Sequence, residues 1–187
     1  MIIGLSGKKR VGKDTFANFL ILNYNFITYT FADPVKEVCR NMFRLSEEQL
    51  YGDKKEVLDE RWNYTPRELF QKIGTEFGQY KIYELLPNLN CEPKQLWVKN
   101  FKLWYENNKE KNVLLTDVRF LHELKAVEDL GGHIIKINRD TKLQDEHSSE
   151  TQLDNYRFKN VIENNGTLEE LYFNGSTMMT TLAFHNC

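Results

Sequence analysis

The chain has 187 residues, 41% hydrophobic and 28% charged, with 25 Lys and Arg against 27 Asp and Glu for a net charge of −2. That balance fits a single soluble globular domain with a real core and offers no global basic field to recruit nucleic acid, so bound phosphates must be met by local basic residues. Its 3 cysteines (Cys39, Cys91, Cys187) form no Cys-x-x-Cys pair, the N-terminus lacks a signal-peptide layout, and no apolar run approaches the ~20 residues of a membrane span, which points to a reducing, cytoplasmic setting without a disulfide framework, zinc site or membrane.

Residues 1–5 (Met-Ile-Ile-Gly-Leu) are an apolar run suited to a buried strand, and residues 16–24 carry helical apolar spacing. Between them stands Gly7-Lys8-Lys9-Arg10-Val11-Gly12-Lys13-Asp14-Thr15, a Gly-x-x-x-x-Gly-Lys phosphate-binding loop in which Asp14 separates the lysine from the threonine. Gly7 and Gly12 permit backbone angles at which successive N–H groups converge on one anion, and the following helix adds its positive end. In such a loop Lys13 reaches the β- and γ-phosphates and the Thr15 hydroxyl ligates Mg²⁺, with Lys8, Arg10 and Asp14 in the same nucleotide-binding stretch. The plainer alternative is a basic turn capped by an aspartate.

Residues 26–31 read as a second strand, ended by Ala32-Asp33-Pro34, with Pro34 at the first position of a helix over 35–43. Val35, Val38, Cys39, Met42 and Phe43 share one face of it. Asp33 can cap this helix and Lys36 can lie on its solvated side. Ser46 caps a short helix over 45–50, and the charged stretch 51–64 reads as an exposed connection. Next, Thr65 caps, Pro66 takes the first helical position and Glu68 completes a capping box, with Leu69, Phe70 and Ile73 buried. Residues 77–112 are mostly helical, interrupted between Pro87 and Pro93. The aromatic helix near residues 96–105 has core spacing rather than the layout of a base-stacking platform.

Residues 112–117 form an apolar strand ending in Asp117, the Walker B layout, in which the acid holds Mg²⁺ through water or acts as base toward the acceptor. The plainer role for Asp117 is to cap the next helix. That helix runs over 121–130 and stops at Gly131-Gly132. A strand at 133–138 leads to a polar stretch over 139–157 that Arg139 opens. A last strand at 159–164, a turn at Asn165-Gly166 and a helix capped by Thr167, burying Leu168, Leu171 and Tyr172, complete the pattern. Residues 175–187 are weakly patterned. Five strands alternating with helices predict an α/β fold, a doubly wound parallel sheet with helices on both faces and ligands at the carboxyl ends of its strands.

Several strings together resemble the deoxynucleoside monophosphate kinases of phages and large DNA viruses, members of the P-loop NTPase fold. They are Gly-Lys-Asp-Thr at 12–15, Phe-Ala-Asp-Pro-Val-Lys at 31–36, Tyr-Gly-Asp-Lys-Lys-Glu at 51–56, Thr-Pro-Arg-Glu-Leu-Phe-Gln-Lys-Ile-Gly-Thr-Glu at 65–76, Asp-Val-Arg-Phe at 117–120 and His-Ser-Ser-Glu at 147–150. The resemblance runs from residue 3 to about 171 and implies one kinase domain, with an acceptor-binding helical region at about 33–110 and a lid at about 139–157. It implies that MgATP and a dNMP give ADP and dNDP. Asp33 and Lys36 would lie beside the acceptor nucleotide, and Arg67 would hold its phosphate with Gln71 and Lys72 on the same helix. Lys13, Arg67, Arg119 and Arg139 would supply positive charge, and Thr15 and Asp117 would hold the metal.

The implied partners are small nucleotides, neither nucleic acid nor membrane, with a homodimer allowed and the cytoplasm, the host's for a viral chain, as setting. Phosphomevalonate and dephospho-coenzyme-A kinases share a related loop but should differ in the 65–76 helix. A GTPase switch would need Asn-Lys-x-Asp, which Asn107-Asn108-Lys109-Glu110 does not supply.

Overall fold

Strand β1 (Ile2–Ser6) is buried along its whole length because it has a parallel neighbour on each side and helices above and below. In the computed structural model, which describes residues 1–140, 153 and 155–184, five strands form one all-parallel sheet. The others are β2 (Phe26–Tyr29), β3 (Asn112–Leu115), β4 (His133–Asn138) and β5 (Asn160–Glu163), in the order β2-β3-β1-β4-β5. The register sets Ile3 opposite Leu114 and Gly4 opposite Ile134. A parallel sheet covered on both faces demands continuous apolar strands, which is how β1, β3 and β4 read. The strand order reverses at β1, so its carboxyl end opens at the switch point where such sheets bind ligands.

The two faces of β1 divide by alternation. Ile3 and Leu5 join Leu114, Ile135, Ile137 and Ile162 in a core with helix α1 (Lys13–Tyr24). The C-terminal helix, α8 (Leu168–Phe184), packs on the same core. Phe16 and Phe19 of α1 stack, and Phe19 stacks again on Tyr172 at 4.8 Å. On the other face Gly4 has no room for a side chain, since a Cβ there would lie 2.6 Å from Ile134 Cδ1 and 2.9 Å from Val118 Cγ2. Val127 of helix α7 (Leu121–Asp129) stands over the same spot.

Residues 31–107 form a second compact unit, entirely helical in its regular structure, while residues 1–30 and 108–187 form the first. The helical unit contains α2 (Ala32–Phe43), α3 (Glu47–Leu50), a 3₁₀ turn (Asp53–Glu56), α4 (Pro66–Gln71), a π-helix (Lys72–Lys81), α5 (Ile82–Leu85) and α6 (Leu96–Glu106). Phe31 meets Phe101 edge-on at 5.6 Å, and Trp97 lies against the π-helix with its indole N–H donating to the Gly74 carbonyl at 2.7 Å. Core packing is thus the role of Trp97 and Phe101.

Five sequence expectations need correction, the first being Leu168, which was expected to be buried and is 48% exposed. Helix α2 starts at Ala32, so Pro34 is its third residue and Asp33 stands in its first turn rather than capping it. The first-turn N–H groups lack intrahelical partners, so proline fits at the third position as well as the first. Met42, expected on the buried face, is 58% exposed. The stretch 51–64 is not wholly exposed: Asp59 is buried, paired with Arg61 at 2.6 Å and accepting from Gln49 Nε2 at 2.8 Å. Finally, the weakly patterned C-terminal stretch is helical as far as Phe184. The Thr177, Thr180 and Thr181 hydroxyls donate to carbonyls four residues back, and Gly175 admits the Phe16 ring, which a Cβ would meet at 2.5 Å.

Candidate active site

The loop between β1 and α1 is built on positive φ. Gly7 has φ 142°, Gly12 φ 100° and Arg10 φ 62°. Packing forbids side chains at both glycines: a Cβ at Gly7 would stand 2.4 Å from the Ile137 carbonyl oxygen, and one at Gly12 2.4 Å from Asn164 Nδ2. Val11 is buried and anchors the loop, leaving Lys8, Lys9 and Arg10 exposed around it. Phe16 N–H donates to Gly12 O at 3.0 Å to open α1, so Lys13, Asp14 and Thr15 form its first turn. Lys13 lies back across its own loop, its ammonium donating to the Gly7 carbonyl and, at 2.8 Å, to that of Lys8. A cation held over a positive-φ loop that opens a helix is an arrangement suited to a polyphosphate.

Asp117 follows β3 by two residues. The N–H of the next residue, Val118, donates to Leu5 O at 3.2 Å, which ties the Asp117 turn to the strand that feeds the phosphate loop. Arg119 and Phe120 then donate their N–H groups to one carboxylate oxygen of Glu123 at 2.8 and 3.0 Å. Glu123 therefore satisfies two backbone N–H groups leading into α7. Burial, reinforced by the charge of Asp117, pushes the Glu123 carboxyl up to about 8, although its backbone hydrogen bonds act the other way. Sequence reading missed Glu123. Its signal was an acid at the third position of the helix after Asp-Val-Arg-Phe, half of a capping box without the hydroxyl half.

Arg139 stands exposed directly after β4. The following residue, Asp140, is held by Asn165, which accepts from Asp140 N–H at 2.8 Å and donates to its carboxylate at 2.9 Å. Of the expected lid, residues 141–152, with Lys142, His147 and Glu150, lie outside the described residues. Lys13, Thr15, Asp117, Arg119 and Arg139 all follow carboxyl ends of parallel strands in the sheet unit.

In the helical unit, Thr65 Oγ1 accepts from Glu68 N–H at 3.2 Å while Glu68 accepts from Thr65 N–H at 2.7 Å, the expected capping box. It sets Arg67 in the first turn of α4, where its Nε donates to Glu56 Oε1 at 2.9 Å. Lys72 reaches Glu76 at 3.4 Å and lies 5.9 Å from the Tyr64 ring centre, and Gln71 is exposed. Asp33 and Lys36 are 3.6 Å apart, and the Lys36 ammonium sits 4.2 Å above the Tyr51 ring. Glu56 and Tyr51 were thus unforeseen members of the charged groups around Arg67 and Lys36.

A profile of the deoxynucleotide monophosphate kinases matches residues 1–63 and 49–174. A protein of Acanthamoeba polyphaga mimivirus, provisionally named as such a kinase, is 39% identical over 181 residues, covering 92% of each chain. The chain belongs to the deoxynucleotide monophosphate kinase family. The kinase of that name from Escherichia phage RB69 is 25% identical, with 91% of this chain and 96% of the phage protein aligned. Among solved structures, dephospho-CoA kinase from Campylobacter jejuni aligns over 100% of this chain and 98% of its own, at a TM-score of 0.53 and 17% identity. That likeness concerns the fold alone, and it is the P-loop kinase fold. Among the described residues of this family member no helix is long and apolar enough to cross a membrane.

Proposed function

We propose that this kinase transfers the γ-phosphoryl group of MgATP to a deoxynucleoside monophosphate, releasing ADP and the corresponding dNDP. The observation that carries the donor half is the Lys13 ammonium lying across a loop whose two glycines can be nothing else. An acceptor phosphate oxygen attacks the γ-phosphorus and the β–γ bridging oxygen leaves with ADP, so the protein's task is positioning and charge stabilisation. The loop N–H groups, with Lys8, Arg10 and Asp14 beside them, hold the donor phosphates. Lys13 follows charge onto the β–γ bridge, and Arg119 and Arg139 spread positive charge over the transferred group.

Mg²⁺ fits the residues present. Among the described residues no group of three or more His, Cys, Asp or Glu could hold a metal ion by itself. A hard cation that would be held by the Thr15 hydroxyl and, through water, by the Asp117 carboxylate, with substrate phosphates completing its shell, needs no such cage. Bound there, Mg²⁺ would neutralise charge developing on the phosphate oxygens. On the acceptor side, Arg67 grips the dNMP phosphate with its planar fork, Gln71 and Lys72 extend the same helix, and Asp33 and Lys36 face the nucleotide.

The test is a coupled ADP-release assay across the dNMPs, the ribonucleoside monophosphates and mevalonate 5-phosphate. Turnover with one or more dNMPs, and none with mevalonate 5-phosphate, is expected. Turnover confined to mevalonate 5-phosphate overturns the acceptor assignment.

A further inference from the structure

Two adjacent asparagines after β5 grip different parts of the donor site. Asn164 is 6% exposed, although it is polar and far in sequence from the loop. Its backbone N–H donates to Asn138 O at 2.8 Å, and its side-chain Nδ2 donates to Val11 O, also at 2.8 Å. The Val11–Gly12 peptide is trans, so its carbonyl and its N–H point in opposite directions. Fixing the Val11 carbonyl toward Asn164 therefore turns the Gly12 N–H away from it. The 2.4 Å that a Cβ at Gly12 would leave to Asn164 Nδ2 shows that no other side chain fits between loop and amide.

Asn165 engages the strand beside it. It takes Asp140 at both the N–H and the carboxylate, at 2.8 and 2.9 Å, which fixes the backbone on the C-terminal side of Arg139. Asn138 Nδ2 donates to Glu163 at 3.0 Å, closing the bracket between the ends of β4 and β5.

We propose that Asn164 and Asn165 are positioning residues for phosphoryl transfer, Asn164 orienting the phosphate loop through the Val11 carbonyl and Asn165 setting the root of Arg139 through Asp140. The inference rests on the donor-site reading above. A buried carbonyl that loses its partner leaves the loop free to rotate that peptide, and the loss falls on the ligand the peptide faces.

The experiment compares Asn164→Ala, Asn164→Asp and Asn165→Ala with Lys13→Ala by steady-state kinetics, ADP titration calorimetry and thermal melting. Asn164→Ala is expected to weaken ATP and ADP binding roughly tenfold, leaving the acceptor KM and the kcat at saturating ATP within about twofold. Asn164→Asp keeps the size and the backbone bond but loses the donor, so it should show the same split even if Asn164→Ala does not fold. Asn165→Ala should lower kcat about tenfold at unchanged ATP affinity.

Donor affinity within about twofold of wild type in a folded Asn164 variant, or equal weakening of donor and acceptor, overturns the loop arm. Unchanged kcat in Asn165→Ala overturns the Arg139 arm. Lys13→Ala at full turnover would instead sink the donor-site reading itself. An inactive Lys13→Ala beside unaffected Asn164 and Asn165 variants sinks the bracket alone.

Discussion

An ammonium that rests on two loop carbonyls gives up little side-chain freedom when a phosphate takes their place, so Lys13 is preorganised for the proposed donor phosphates. The Gly7 and Lys8 carbonyls that it meets belong to a loop exposed over residues 8–10, so these two hydrogen bonds add little to the fold. Lys13→Ala is expected to cut kcat by about 10²–10³, the scale for losing one preorganised charge donor, with the melting temperature nearly unmoved. Wild-type turnover in the purified variant would remove Lys13 from the chemistry.

Arg67 is subject to a similar competition. Its Glu56 partner is more than half exposed, so the pair adds little stability, yet it occupies the guanidinium proposed for the acceptor phosphate. Arg67→Ala should weaken dNMP binding roughly ten- to a hundredfold, and Arg67→Lys should recover little of it. Glu56→Gln removes the competing anion and should tighten dNMP binding about two- to fivefold. Titration calorimetry with dNMP and with ATP decides: loss of ATP binding in Arg67→Ala would put the residue on the donor side.

At the scale of elements, what could be read in the sequence was what is locally encoded. β1, β3 and β4 announced themselves because both faces are buried. The caps at Ser46 and Thr65, and the Thr167 hydroxyl accepting from Glu170 N–H at 3.2 Å, use partners within one turn. The phosphate loop and Asp117 were legible as candidates for the same reason, since strand, turn and helix follow one another in the chain. Asn164 and Glu56 were not, because their partners Val11 and Arg67 are brought to them only by the folded chain. Glu123 was missed although its partners lie within one turn, because the hydroxyl half of its capping box is absent.

The π-helix was equally hidden. Trp97 packs against it and leaves no space at Gly78: a Cβ there would lie 2.6 Å from Trp97 Cζ2. Such wide turns recur at functional sites, and this one continues directly from α4, which carries Arg67. Gly78→Ala is expected to overpack against the indole and cost about 1–3 kcal/mol, despite alanine's better helix propensity. For a chain of this length that is a fall of about 2–4 °C in melting temperature per kcal/mol. A rise in melting temperature would show that propensity outweighs the ring contact.

For the molecule as a whole, two buried carboxyls bias stability in opposite directions along the pH scale. Asp59 in the helical unit is held below the usual carboxylate range by Arg61 and, more weakly, by Gln49. The unfolded chain protonates this group near ~3.9, before the folded one does, so its contribution is present above that pH and is lost as pH falls. Glu123 in the sheet unit has the contrary sign. Its folded value of about 8 lies above the ~4.3 of an unfolded glutamate, so the native state holds the extra proton and stability declines as pH rises from about 4.3 to 8. The slope for one such proton is at most ~1.4 kcal/mol per pH unit.

Urea denaturation at intervals from pH 3 to pH 9 should therefore show stability from these two groups greatest near pH 4–5, falling on both sides. Glu123→Gln keeps an oxygen to accept from Arg119 and Phe120 N–H but carries no charge, so it should flatten the limb between pH 5 and 8 and gain on wild type at pH 8. Asp59→Asn should flatten the limb below pH 4 and lower stability at neutral pH, because Arg61 loses its carboxylate. Equal slopes for wild type and Glu123→Gln between pH 5 and 8 would mean that Glu123 is ionised in the native state at all of these pH values. In that case the two backbone N–H groups that orient the turn after Asp117 outweigh burial, and Glu123 serves the site as a fixed negative charge.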